Sequence, residues 1–325
     1  MTDIRNNWTH EEVKEIYDLP LLDLVHRASN IHRKYHDASK MNMNTLISVR
    51  TGACSQDCKY CAQSARYNTH VKPEKLSLEQ VLEEAKFAKE NGVKRVCLSS
   101  AGRDGNRDDR FNEIAEMITE VKKMGLEVCC TMGMINKEKA QKLAELGITA
   151  VNHNIDTSER HYPNITTTRT YAERLETLAN LQEAGIQYCS GGILGMGEND
   201  EDRIEMLRTL ANQEKHPYNV PLNSLVPVKG TPFYGKETIG IFEMVRAIAT
   251  ARILMPKTVV AFAAGRTHYS QEGQALCFLA GANSIFFGDK LLTVDNMTIN
   301  EDEHLLGQLG LTPTKYHELT TLEEK

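Results

Sequence analysis

Three cysteines spaced for metal chemistry stand within eight residues, CSQDCKYC, at positions 54–61. Cys54, Cys58 and Cys61 offer three thiolates from one tight loop with no fourth cysteine nearby. A structural zinc site normally closes its tetrahedron with four protein ligands, usually in two separated pairs. Ferredoxin-type clusters also take four cysteines. Three thiolates on a cubane of four irons would leave one iron open to a small molecule, and an open position is how metal sites do chemistry. The competing reading of so short a cluster is a zinc-binding or redox-sensing loop.

The elements that position this loop repeat one grammar: an amphipathic helix, a glycine, then a short β-rich run. SLEQVLEEAKFAKENG opens with a capping box, Ser77 with Gln80, carries Leu78, Val81, Leu82, Ala85 and Ala88 at helical spacing, and ends at Asn91–Gly92. VKRVCLSS follows as a strand; LEVCCTM, ITAVNHNID, IQYCSGG and NSIFFG each follow a glycine in the same way. With TLISVR, PLNSLVPV and TVVAFAA they make eight candidate strands separated by helices. Alternating βα units predict an α/β fold with a parallel sheet, and eight of them predict a single (β/α)8 TIM-type barrel. The first strand has no Gly-rich dinucleotide fingerprint that would favour a doubly wound sheet. Residues 1–40 are expected to form an N-terminal helical extension, 41–300 the barrel, and 301–325 a final helix and a charged tail.

In such a barrel the active site lies at the C-terminal ends of the strands, and the Cys loop directly follows TLISVR. Side chains alternate faces along a strand, so Asn152, Asn154 and Asp156 share one face while Val151 and Ile155 share the other. Three polar side chains against a ring of helices would be costly, so this row is expected in the lumen as a ligand site. Cys97, Cys129 and Cys189 fall at similar depth on the second, third and fifth strands and suggest a second metal or cluster site. Each alone would pass as a small buried hydrophobe, as Cys277 in QALCFLAGA does.

The chain of 325 residues carries a net charge of −6, with Lys and Arg scattered among Asp and Glu. That argues against a nucleic-acid face or a basic membrane patch. The first residues, MTDIRNNWTHEEVKEI, are polar and acidic, unlike a signal or transit peptide, and no apolar run reaches membrane length. Eight cysteines in such a chain point to metal or redox use in a reducing cytoplasm.

The Cys-x3-Cys-x2-Cys spacing, with Tyr60 before the last cysteine, resembles the radical SAM signature. TGACSQDCKYCAQS, VNHNIDTS, TTRTYAERLETL, CSGGILGMGE, GTPF and AGANSIFFG resemble the biotin synthases within it, over residues from about 10 to 310. The resemblance implies a [4Fe–4S] cluster on Cys54, Cys58 and Cys61 that binds and cleaves S-adenosylmethionine. The resulting radical would take hydrogen from dethiobiotin, two S-adenosylmethionine molecules being used per biotin. It implies ribose contacts from Asn154 and Asp156, a carboxylate contact from Arg174, and Tyr60 and Ile193 beside the adenine. Asn152 and Asn223 would bind the ureido ring, a task suited to an amide that donates and accepts. Sulfur would come from an auxiliary cluster on Cys97, Cys129 and Cys189, with Arg95 close by. The implied partners are a flavodoxin- or ferredoxin-type electron donor and a second copy of the chain, as a homodimer.

The sequence departs from that pattern in the seventh strand, where Ala261 occupies the place of an arginine ligand to the auxiliary cluster. Arg266 corresponds to the family's second arginine and is not a substitute. The third strand adds Cys130 beside Cys129, and both reach one cluster only if the strand ends or bulges there. A larger four-iron cluster with an extra sulfide, held in part by Cys130, therefore stands beside a three-cysteine cluster, [2Fe–2S] in the family, that takes water or another side chain as its further ligand and leaves Cys130 as apolar filler. Competing functions are another radical SAM enzyme of the same barrel, such as a hydrogenase-maturation protein or a methylornithine synthase, and a non-catalytic metal or redox sensor. The first need not carry the Cys97, Cys129 and Cys189 trio. The second has no use for the Asn152, Asn154 and Asp156 row.

Overall fold

The computed structural model describes residues 4–314. Eight strands run β1 (Lys40–Thr51), β2 (Arg95–Ser100), β3 (Glu127–Thr131), β4 (Ala150–Asn152), β5 (Gln187–Cys189, resuming as Gly192–Leu194), β6 (Asn219–Ser224), β7 (Val259–Phe262) and β8 (Ser284–Phe286). Each pairs in parallel with the next, and β8 returns to β1 through Asn42↔Ser284 and Asn44↔Phe286, closing the barrel. The expected eight-stranded α/β barrel is what the chain forms.

The helices between the strands form for local reasons. Leu78–Glu90 starts on the expected box, in which Ser77 accepts from the Gln80 N–H and the Gln80 side chain caps the Ser77 N–H. It buries Val81, Ala85 and Ala88 and leaves its charged face in water. Thr170 with Glu173, Asn199 with Asp202 and Thr298 with Glu301 open three further helices in the same way.

Strand alternation divides the interior in two. Val96, Leu98, Val128, Val151, Val220, Leu222, Val260, Phe262 and Ile285 face outward into the layer between barrel and helices, where the main core sits. The opposite parity faces the lumen, where Cys129, Ala150 and Cys189, with Cys97 and Tyr218 against them, form a separate small cluster.

Helices His10–Tyr17 and Leu21–Tyr35 precede the barrel and pack on the helices at 200–211 and 241–254. After the barrel, helix Ile299–Leu309 is tied down by the fully buried ion pair of Asp302 with Arg266, and Thr312–Pro313 pairs with the start of β1. The end of the charged tail expected within 301–325 lies outside the described residues.

Candidate active site

The cysteine loop is a knot at the C-terminal end of β1. Gly52 and Ala53, both at positive φ, turn the chain off the strand. Cys54 then pairs back with the loop's far side: its N–H donates to Gln63 O at 3.0 Å and its carbonyl accepts from Ala65 N–H at 2.8 Å. Cys61 N–H donates to Cys58 O at 2.9 Å, closing the turn between the two thiols.

Asp57 anchors this knot to the segment after β4. Its carboxylate accepts from the Thr166 hydroxyl at 2.7 Å, the Thr168 hydroxyl at 2.9 Å and the Thr167 N–H at 2.9 Å. Burial alone would raise its pKa, but these donors hold the carboxyl well below the usual range. Arg169, next in the chain, reaches into the site. Its Nη2 lies 3.2 Å from Cys58 Sγ and 3.3 Å from Asp156 Oδ2, and its Nε donates to Tyr162 Oη at 3.0 Å. Burial pushes the Cys58 thiol up and the Cys61 thiol up to about 12, so both are neutral without a metal.

A cavity of about 320 Å³ opens between this loop and the barrel mouth. Cys54, Cys58, Cys61 and Tyr60 line one side; Asn152, Asn154, Asp156, Arg174, Ile193 and Asn223 line the other. All the residues expected to contact S-adenosylmethionine or dethiobiotin thus share one space. The polar row is arranged differently from a plain strand. β4 ends at Asn152, and Asp156 takes φ 69, a left-handed conformation that Asp tolerates better than most residues. Its backbone carries the row onward, with Asp156 N–H donating to Gly191 O at 3.1 Å and Ile193 N–H donating to Asp156 O at 2.9 Å. This approach needs glycine. A Cβ on Gly192 would lie 2.7 Å from Asp156 O, and one on Gly191 would lie 2.0 Å from Pro221 O.

Several of these groups already hold each other. Asp156 accepts from Arg174 Nη2 at 2.7 Å, and Arg174 Nε donates to Tyr162 Oη at 3.1 Å. The guanidinium of Arg174 is therefore committed to Asp156 and Tyr162, while Arg169 stands nearer the cysteines. His153 sits under Arg174, held neutral by burial and by that neighbouring positive charge. Asn154 Oδ1 accepts from Gly191 N–H at 3.1 Å. Asn223 joins two strands, donating to Gly192 O and accepting from Ala264 N–H, each at 3.0 Å. Asn152 Nδ2 donates to Thr131 Oγ1 at 3.2 Å.

The second cysteine set lies one layer lower in the lumen. Ser99, Thr131, Asn152 and Pro221 border the cavity, and two residues earlier on the same strands stand Cys97, Cys129, Ala150 and Asn219. Cys97 pairs in register with Cys129, and Cys189 with Asn152 on one side and Asn219 on the other. Cys129 lies between Cys97 and Cys189 in the strand order, and the three pack in one small cluster. The neighbouring Cys129 thiol and burial push the Cys189 thiol well above its ordinary pKa. Arg95 closes the layer below, 2.6 Å from Glu127 and 4.4 Å from the centre of the Tyr218 ring.

Of the two readings that the sequence leaves open for Cys130, its place in the strand fits the apolar filler. β3 is regular, with Cys129↔Cys97 followed by Cys130↔Leu98, so no bulge brings both thiols to one side. Cys130 is fully buried in the outer apolar layer with its sulfur 3.9 Å from Met132 Sδ, and burial pushes its thiol up to about 12. It is turned away from the lumen that holds Cys97, Cys129 and Cys189. Ala261 is buried between Pro221 and Ser284 on the other parity of β7 from Val260 and Phe262, and offers no ligand. Arg266 is spent on Asp302 and Gln274.

Among the described residues no three His, Cys, Asp or Glu side chains converge on one point as ligands of a single metal ion. A cluster distributes its thiolates over several irons, so its ligands stand farther apart. Both cysteine sets, all-sulfur and lacking a fourth acid or histidine, fit iron–sulfur clusters better than a single zinc. Sequence reasoning missed the Thr166–Thr168 clamp and Arg169. The ITTTRT string carries both, but no periodicity marks a loop that acts on another loop.

The radical SAM superfamily model matches residues 48–210, and the biotin and thiamin synthesis associated domain matches 221–312. The two meet between the helix at 200–211 and β6, so one barrel carries both. The chain is 52% identical over 314 residues to a biotin synthase of Cytophaga hutchinsonii, covering 96% of this chain and 93% of the relative. It is 51% identical to a mitochondrial biotin synthase of Arabidopsis thaliana, covering 95% and 82% of the two chains. Among solved structures it is similar to methylornithine synthase, with TM-score 0.81 and 20% identity over 97% of this chain and 96% of that one. The FeFe-hydrogenase maturase HydG from Carboxydothermus hydrogenoformans gives 0.81 and 17% over 95% of this chain and 76% of that one. These two likenesses show the shared barrel. The sequence relatives go further: the chain belongs to the biotin synthase family of the radical SAM superfamily.

Proposed function

We propose that this chain converts dethiobiotin to biotin by radical sulfur insertion. One observation carries the reading: a single cavity bounded by Cys54, Cys58 and Cys61 on one side and by Asn152, Asn154, Asp156 and Asn223 on the other, with Cys97, Cys129 and Cys189 one layer beneath. The loop cysteines would hold a [4Fe–4S] cluster, which with S-adenosylmethionine supplies one-electron sulfonium cleavage and a radical able to take hydrogen from unactivated carbon. Cys97, Cys129 and Cys189 would hold the auxiliary cluster that is the source of sulfur.

The remaining work belongs to the chain's own groups. Arg169 and Arg174 place two positive charges beside Asp156, suited to a zwitterionic amino acid next to a diol. Tyr60 and Ile193 add an aromatic and an aliphatic side chain to the lining of the same cavity. Asn223 spends one donor and one acceptor on backbone and keeps one N–H and one lone pair, the complement of a ureido edge. The Cys loop covers one side of the barrel mouth, which limits the access of water to a reactive radical. No described helix is long and apolar enough to cross a membrane. The reading includes a flavodoxin- or ferredoxin-type donor, a homodimer and a cytoplasmic setting.

The test is anaerobic reconstitution with iron and sulfide, reduction with dithionite, and addition of S-adenosylmethionine and dethiobiotin. The expected products are 5′-deoxyadenosine and biotin. 5′-Deoxyadenosine without any biotin would keep the superfamily chemistry and overturn the substrate.

A further inference from the structure

We propose that the outer face of the cysteine loop, joined to segment 228–236, is the docking surface for an acidic one-electron carrier protein. The inference rests on reading Cys54, Cys58 and Cys61 as a cluster site, which must receive one electron from outside the chain.

The charge of these two segments runs against that of the chain. The protein's net charge is −6, yet the stretch 52–73 carries Lys59, Arg66 and Lys72 against the single carboxylate Asp57. Asp57 is already saturated by Thr166, Thr167 and Thr168. Segment 228–236, VKGTPFYGK, adds Lys229 and Lys236 and has no carboxylate; Glu74 and Glu237 stand only at the edges. Lys59 is half-buried and the other four cations are exposed, and none of the five makes an ion pair among the described residues.

The two segments form one surface. Phe233 N–H donates to Lys59 O at 3.3 Å, and Gly230 packs so closely on the loop that a Cβ there would stand 2.0 Å from Asn68 O. Phe233 is buried at the join with Lys236 Nζ 4.9 Å from its ring centre, while the next residue, Tyr234, is 59% exposed. Arg66 Nε donates to Ser55 O at 3.1 Å, placing a cation beside the residue that follows Cys54. Ala53 and Ser55 are exposed and Cys54 is half-buried, so a carrier seated here would be one loop's thickness from the thiols.

Five cations and one exposed aromatic on two adjoining segments suit a small, transient, electrostatically steered interface, as electron-transfer encounters are. A reduced flavin or iron–sulfur carrier of opposite charge would lose one electron, the cluster site would gain it, and no bond or proton need move. Lys72 and Lys229 do not line the substrate cavity, so changing them leaves that space intact.

The experiment compares wild type, Lys72→Glu/Lys229→Glu, the milder Lys72→Gln/Lys229→Gln, and a control, Lys123→Glu, from the far end of the helix at 108–123. Two quantities are read on reconstituted protein: binding of oxidised flavodoxin by calorimetry, and the second-order rate of reduction by flavodoxin hydroquinone. Charge reversal is expected to lower both about tenfold or more at low salt, neutralisation to lower them less, and the difference to shrink near 0.5 M salt. Reduction by dithionite and the ensuing 5′-deoxyadenosine yield should match wild type in every variant. Both double variants behaving like Lys123→Glu toward flavodoxin would overturn the docking face. So would binding an RNA oligonucleotide more tightly than flavodoxin. If wild type bound flavodoxin on this face but dithionite produced no 5′-deoxyadenosine, the cluster reading would fail, and with it the role of this face in electron delivery, although the binding itself persisted.

Discussion

The upper thiols come from one eight-residue loop, whereas the lower thiols come from three strands and meet only because the barrel holds its register. The loop is braced by short-range bonds, Cys54 to Gln63 and Cys61 to Cys58, and by the clamp on Asp57. The lower set has no such local support. A one-residue slip of β3 would exchange Cys129 for Cys130 in the lumen, because a slip moves every side chain to the other face. A site written in a loop therefore announces itself by spacing, while a site written across strands depends on the whole fold.

The sharpest test of the loop is Cys58→Ala. Two thiols cannot hold the cubane, and the loop has no spare cysteine. 5′-Deoxyadenosine formation should fall to background, with biotin lost as well and the circular dichroism spectrum retained. Undiminished 5′-deoxyadenosine formation would break the assignment and with it the contrast between the sites.

The same change one layer down should divide the two chemistries. Cys129→Ala removes the central thiol of the lower set, so biotin formation should vanish while uncoupled cleavage of S-adenosylmethionine continues. Iron content should fall to that of the upper cluster alone. Equal loss of both activities would mean that the two sites are not separable.

Much of this architecture was legible in the sequence because the signals were local and periodic. The capping box at Ser77, the glycine-ended helices and eight apolar runs predict the barrel, and the barrel puts TLISVR and its cysteine loop at the catalytic end. Parity predicts one face for Asn152, Asn154 and Asp156, and all three line the cavity although β4 stops at Asn152 and the bridge from Asp156 to Gly192 carries the chain onward. Contacts between loops were not legible. Arg169 shows no pattern in the chain, and its place beside Cys58 depends on how the Thr166–Thr168 turn meets Asp57.

Arg169 offers a graded test of the upper site. Arg169→Gln removes a buried charge shared by Cys58 and Asp156, while Asp156 keeps Arg174 at 2.7 Å and the fold should persist. Hydrogen bonds to charged groups contribute about 1.5–3 kcal/mol, so S-adenosylmethionine should bind roughly 10- to 100-fold more weakly. Arg169→Lys should recover only part of this, because an ammonium cannot span two acceptors as a planar fork does. Iron content and the affinity for dethiobiotin should change little. Loss of iron instead would make Arg169 a structural brace of the loop.

The smallest expected effect is at Cys130, and it discriminates most finely between the two faces of β3. Its sulfur lies in the apolar layer 3.9 Å from Met132 Sδ, among residues such as Val128 and Leu98 that also face the helices. Truncation to alanine removes one buried sulfur and leaves a small void, at a cost of about 1 kcal/mol by analogy with Ile→Val changes in cores. Cys130→Ala should therefore lower the denaturation midpoint modestly while iron, sulfide and biotin yield per folded protein stay at wild-type values. Cys130→Val, of similar bulk and without a ligand atom, should recover the stability. If Cys130→Val were stable yet short of iron, β3 would have to bulge in the loaded protein so that both neighbouring thiols reach the lumen. The auxiliary cluster would then have a fourth thiolate to offset the arginine that Ala261 lacks.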